Sequence, residues 1–173
     1  MLRLHGDRCG AVSVRMGDPA VAEVTGSSAA PAGRSQCELL SELARMDHYV
    51  LSVDRACGLL VARRTAAPYQ RIGDIETCFL RVEQALAMLT RRRYRLLVDA
   101  RLGPSRNDPA FESVMAQHRG KLLFGFQRNA ALMATAAGRL QVRRYARADG
   151  REVFVTDSAE AAFEYLRVPY HTI

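Results

Sequence analysis

YRLLVDARLGPSRNDPAF, Tyr94 to Phe111, decides how the chain is read: it passes from an apolar strand, through an arginine-bearing turn, into a helix. Leu96-Leu97-Val98 is short, uninterrupted and apolar, the pattern of a strand covered on both faces. Asp108-Pro109 is a helix start, because the carboxylate accepts free first-turn amides and the proline ring has no amide to lose. In α/β sheets ligands sit outside the carboxyl ends of parallel strands, so Asp99, Arg101, Ser105, Arg106 and Asn107 are the first residues to suspect of binding. These residue types describe a recognition surface and name no reaction.

The elements on either side follow from the same kind of pattern. Tyr49 to Val53 and Leu59 to Arg63 are rich in β-formers and flank Asp54-Arg55-Ala56-Cys57-Gly58, a turn with glycine where positive φ is needed, so they predict an antiparallel hairpin. Asp74 is expected to cap a helix whose Ile75, Phe79, Val82, Leu86 and Leu89 recur at spacings of three and four and which closes on Arg91-Arg92-Arg93. Beyond the quoted stretch, the helix from Asp108 runs to about Gly125 with a stripe of Phe111, Val114, Met115, Leu122 and Leu123. Asn129 to Thr135 predicts a strand, Ala137 to Ala148 a basic helix, and Glu152 to Val155 a short strand. Asp157-Ser158-Ala159-Glu160 is a capping box that opens a last helix. Strands alternating with helices force crossover connections, so the expectation is a single α/β domain with a mixed, mostly parallel sheet of about five strands and about four helices.

The totals narrow the class. A chain of 173 residues with 49% apolar composition holds one domain with a real core. The net charge of +7 comes from 24 Arg and one Lys against 18 acidic residues, and residues 46–173 hold all of the excess with 20 basic and 13 acidic side chains. Cys9, Cys37, Cys57 and Cys78 show no C-x-x-C spacing and no nearby His pair, which excludes the usual zinc and redox patterns and points to reduced thiols in a cytoplasmic protein. No segment reaches the roughly 20 apolar residues of a membrane span. Gly17 to Gln36 mixes Gly, Ala, Ser and Pro without period. Residues 1–45 are therefore expected to be a weakly ordered extension, a dispensable leader or an over-extended reading frame, with the stable domain over 46–173; Cys37 to Met46 would add one or two helical turns.

The element order, YRLLVDAR with its loop and capped helix, ATAAGRLQVRRYAR, and the closing VFVTDSAEAAFEYL together resemble the STAS family of anti-sigma-factor antagonists, and its bacterial STAS/SEC14-like relatives, over about residues 48–167. The resemblance implies a non-catalytic regulatory domain in bacterial signalling. It would contact a protein partner through the loop and helix start that here hold Arg101, Ser105, Arg106, Asn107 and Asp108. Some family members are switched by phosphorylation of a hydroxyl at this helix start. An Asp-Ser pair is usual there; this chain has Asn107-Asp108-Pro109, with Ser105 the nearest hydroxyl, beside Arg101 and Arg106, and Ser113 inside the helix, so Ser105 reads either as a phosphorylation site or, more plainly, as a turn serine among solvated arginines. Other members bind small molecules or lipids, and a pocket between the second helix and the sheet would serve that.

Three further features carry a sharper and a plainer reading. Asp99 at the strand exit could act as a base or metal ligand, but without a second acid, a His or a nucleophile it reads as a salt-bridge residue. His118 reads as a partly buried, hydrogen-bonded imidazole. Arg91, Arg92, Arg93 and Arg95, and Arg139, Arg143 and Arg147 at four-residue spacing, form basic clusters that could bind nucleic acid or an anionic surface, yet no aromatic stacking platform accompanies them. Neither a glycine-rich phosphate cradle nor a catalytic triad order is present, so no catalytic residue, metal or cofactor is expected.

Overall fold

The computed structural model describes residues 40–104, 106 and 108–173. In chain order the elements are β1 (Ser41–Arg45), β2 (Tyr49–Asp54), β3 (Leu59–Arg64), α1 (Ile72–Ala87), β4 (Arg95–Asp99), α2 (Pro109–Leu123), β5 (Asn129–Leu132), α3 (Ala136–Ala148), β6 (Phe154–Thr156) and α4 (Ala159–Leu166). The strands form one sheet in the order β1-β2-β3-β4-β5-β6. β1, β2 and β3 pair antiparallel, and every later neighbour is parallel because a helix intervenes. The mixed α/β sheet expected from the sequence is therefore present, with one strand more.

Period-two alternation divides the sheet between two cores. Leu51, Leu60, Ala62 and Leu96 pack with Ile75, Phe79, Val82 and Leu86 of α1 and with Leu122 and Leu123 of α2. Leu59, Val61, Leu97, Ala130 and Leu132 turn the other way, onto Ala162, Phe163 and Leu166 of α4. The hairpin forms as the turn chemistry dictates: Asp54 Oδ1 accepts the amides of Ala56 and Cys57 at 2.8 and 3.0 Å. Gly58 takes φ +63°, and a Cβ there would lie 2.6 Å from the Arg93 carbonyl oxygen. That close approach lets Gly58 O accept the Arg95 amide at 2.8 Å, tying the hairpin turn to the start of β4.

Several boundaries differ from expectation. The sheet begins before Met46: Ser41–Arg45, read as a helical turn, is an edge strand on β2, with Ser41 Oγ donating to Val53 O at 3.1 Å. Its register shifts between Glu42 and Ala44, and such a bulge breaks the alternation by which a strand is recognised. Residues 1–39, the remainder of the expected extension, lie outside the described residues. Asp74 does not cap α1; Arg71 does, and the Asp74 carboxylate reaches back from the first turn to accept the amides of Gln70 and Arg71 at 2.9 and 2.7 Å. α1 stops at Ala87, and Arg91–Arg93 form a separate 3-10 turn. Asp108 caps α2 as expected, accepting the Phe111 amide at 3.0 Å. Ser158, rather than Asp157, caps α4.

Candidate ligand pocket

A cavity of about 320 Å³ lies over the sheet between α2 and α3 and reaches the loops that leave β3, β4 and β5. Strand order never reverses, so no switch-point crevice forms; the space arises from small residues. Ala131 on β5, Ala134 beyond it and Gly138 in the first turn of α3 stand where larger side chains would close the gap. The apolar side of α2 is correspondingly incomplete: Leu122 and Leu123 are buried, while Phe111 and Met115 are half-buried and line the cavity. Aromatic rings of Tyr49, Tyr69 and Phe79 supply much of the remaining wall.

Four arginines border this space: Arg64, Arg101, Arg106 and Arg119. Arg101 lies 2.8 Å from Asp99, Arg119 grips Asp149 at 2.6 and 2.9 Å, and Arg106 pairs with Asp108 while donating to Tyr69 O at 3.2 Å. Arg64 differs. It is 6% exposed, its Nη1 donates to His48 O and Thr65 O at 3.0 and 3.1 Å, and its Nη2 donates to Ala67 O at 2.8 Å. The guanidinium sits 4.4 Å from the Tyr69 ring centroid and 5.6 Å from that of Tyr49. Burial pushes the Tyr49 hydroxyl up to about 12 and raises the Tyr69 hydroxyl and the Cys78 thiol above their ordinary values, so these groups stay neutral around Arg64 at physiological pH.

Behind the wall formed by Gln141 and Tyr145, Glu112 ties α2 to α3. Its Oε1 accepts from Tyr145 Oη at 2.6 Å and from Arg144 Nη2 at 3.0 Å. The hydrogen bond from Tyr145 leads in holding the Glu112 carboxyl below the usual range.

Among the suspected residues, the structure brings Arg101 and Arg106 to the pocket rim with their own carboxylates, and Ser105 and Asn107 lie outside the described residues. The hydrogen bond from Arg106 holds the Asp108 carboxyl below its usual value. Asp99 is the salt-bridge residue its isolation suggested. Burial would raise its carboxyl, but hydrogen bonds from Arg101 and the charges of Arg101 and Arg63 outweigh this and hold it low. A carboxyl depressed in the folded state contributes stability above its unfolded value near ~3.9, and that contribution is lost as pH falls through the folded value. Asp99→Asn is therefore expected to flatten the acid limb of stability: urea midpoints at pH 7 drop, and the gap to wild type closes as pH falls below about 4. A constant gap down to pH 3 would remove Asp99 from this linkage.

The basic clusters do not merge. Arg91 donates to Lys121 O and Phe124 O at 2.7 and 3.3 Å, satisfying the carboxyl end of α2, and Arg95 donates to Cys57 O at 3.2 Å. Arg92 and Arg93 are exposed beside them, at the amino end of β4. Arg139 begins α3 beyond the carboxyl end of β5 and pairs with Asp157 at 2.6 Å; Arg143 donates to Val155 O, and Arg147 is exposed. His118 is half-buried as expected, but among the described residues its Nδ1 makes no hydrogen bond: the ring stacks on Phe79 at 5.1 Å, with Glu83 4.0 Å from Nδ1.

Asp54, Cys57 and His171 place a carboxylate oxygen, a sulfur and an imidazole nitrogen within 4.8 Å of one another. Cys57 is disulfide-bonded, so it offers no thiolate to a metal, and the expectation of reduced thiols fails for it. Its place in the half-exposed hairpin turn leaves that sulfur available for pairing, whereas Cys78 is a free thiol buried in α1. Among the described residues no helix is long and apolar enough to cross a membrane. No protein-family model, curated protein or solved structure matches the chain.

The pocket is the feature that sequence reading placed least well. A space between the second helix and the sheet was foreseen, but Arg64 was not. Its one signal is a pair of arginines closing an apolar strand, in Leu59-Leu60-Val61-Ala62-Arg63-Arg64.

Proposed function

We propose that the domain works by binding a small molecule in the pocket between α2, α3 and the sheet, and that it performs no chemistry on it. The observation that carries this reading is a partly enclosed apolar cavity of about 320 Å³, bordered by a few fixed polar groups, at the edge where β3, β4 and β5 end. The carboxylates nearest its mouth, Asp99 and Asp108, are already committed to arginines. The resemblance to STAS domains adds a regulatory role, in which occupancy of the pocket alters what the β4–α2 loop presents.

Met115→Trp tests the pocket, because the larger ring fills the space beside α2. Indole, a neutral fragment, should bind the full-length chain saturably in ligand-observed NMR, and the variant should weaken it by at least about tenfold. Non-saturable binding, or binding unchanged in Met115→Trp, would overturn the reading.

A second reading, a protein contact through the same loop, is favoured by Leu102, which stands 62% exposed beside Arg101. Affinity purification that loses one defined partner on Leu102→Glu, with indole binding intact, would support it.

A further inference from the structure

We infer that the pocket takes an apolar monocarboxylate whose charge pairs with Arg64, an inference that rests on the pocket reading above. Of the four arginines that border the cavity, Arg101, Arg106 and Arg119 each hold a carboxylate of their own. Among the described residues Arg64 is in no ion pair, although it is 6% exposed. A buried cation is costly unless compensated, and here backbone carbonyls and two tyrosine faces offset part of the charge without neutralising it.

The geometry also leaves donors over. A guanidinium carries five N–H groups. Among the described residues, the bonds to His48, Thr65 and Ala67 employ both hydrogens of Nη1 and one of Nη2, and Nε–H and the second Nη2–H meet no acceptor. Two adjacent N–H groups on one edge of a guanidinium match the two oxygens of a carboxylate. Arg106 reaches the same corner through Tyr69 O, but Asp108 balances its charge, so the corner has one positive charge in excess.

Size limits the rest of the molecule. At about 320 Å³ the cavity lies at the small end of ligand pockets, which suits a medium-chain fatty acid or a one-ring aromatic acid. Apolar walls at Phe79, Phe111 and Met115 favour a body without further charge.

Isothermal titration calorimetry of the full-length chain with two pairs of ligands tests this: octanoate against octanamide, and phenylacetate against phenylacetamide. The members of each pair share a shape, so their ratio isolates the charge, and the two pairs distinguish a linear from an aromatic body. At least one acid should bind roughly ten- to hundredfold tighter than its amide, the range of a charged hydrogen-bonded contact. In Arg64→Gln that ratio should fall to about one while the amide still binds. Equal binding of acid and amide by the wild-type chain overturns the inference without recourse to any variant, and leaves the pocket standing. Persistence of the ratio in a folded Arg64→Gln protein overturns it as well. Binding by neither acid overturns it too, and in that case the indole titration separates a pocket of other specificity from no pocket.

Discussion

Phe79→Ala is expected to lower the free energy of unfolding by about 3–5 kcal/mol, the range for removing a fully buried aromatic ring. Phe79 is 1% exposed and stands where three structures meet. Its ring meets Tyr49 of β2 edge-on at 5.8 Å and stacks on His118 of α2 at 5.1 Å, while its own helix packs on the sheet. Truncation removes apolar contact to all three, and the neighbours are held by strand pairing and by the backbone of α2, which limits how far they can collapse into the space. Because Phe79 also borders the pocket, the variant should bind ligands larger than those the wild-type chain accepts. Urea denaturation measures the first effect and competition against indole the second. A loss under about 1 kcal/mol would mean that α2 closes onto α1 and that the pocket wall is soft.

The second large effect belongs to Arg64→Met, which keeps the length of the stem and deletes the head. The expected loss is about 1–3 kcal/mol, because Thr65 O loses its donor outright while His48 O keeps the Thr65 amide and Ala67 O keeps His48 Nδ1 at 3.3 Å, and an acceptor left unmet costs roughly 1–3 kcal/mol. Those carbonyls belong to the start of β2 and to the strap that leaves β3, so the variant should also loosen this strap. Amide hydrogen exchange should report it at Thr65, whose amide donates to His48 O at 3.0 Å. Denaturation gives the first quantity and exchange at Thr65 the second. A variant as stable as wild type, with exchange unchanged, would leave Arg64 without a structural role. Ligand discrimination is a separate property of the same side chain and is read from the acid-to-amide ratio.

Local signals were legible where a few neighbouring residues settle the outcome. The hairpin followed from β-formers on either side of an Asp-to-Gly turn, and the Asp54 carboxylate and the positive φ of Gly58 are the chemistry those residue types imply. Asp108-Pro109 opened α2 for a reason confined to one turn. Asp74 shows the limit of such reasoning: a cap ahead of the helix that accepts first-turn amides is expected, but the carboxylate sits inside the first turn and accepts the amides of Gln70 and Arg71 that precede it. β1 escaped because a bulge erased the alternation that identifies a strand. The arginines were misleading in bulk. Counted as charge they suggested a surface for anions, whereas Arg91, Arg95 and Arg143 end on backbone oxygens and Arg139 on Asp157.

What the chain alone determined is the alternation of strand and helix and the parallel pairing that crossover helices impose, because periodicity and capping act over a handful of adjacent residues. Only the tertiary structure decided where space is left and which charge stays uncompensated. Ala131 and Gly138 border a cavity only because α2 places the half-buried Phe111 and Met115 across from them. Among the described residues, Arg64 is the one arginine bordering that cavity without an ion pair, because Asp99, Asp108 and Asp149 fold onto its three neighbours instead. Both outcomes depend on groups far apart in sequence meeting at one corner, and no local pattern records such a meeting.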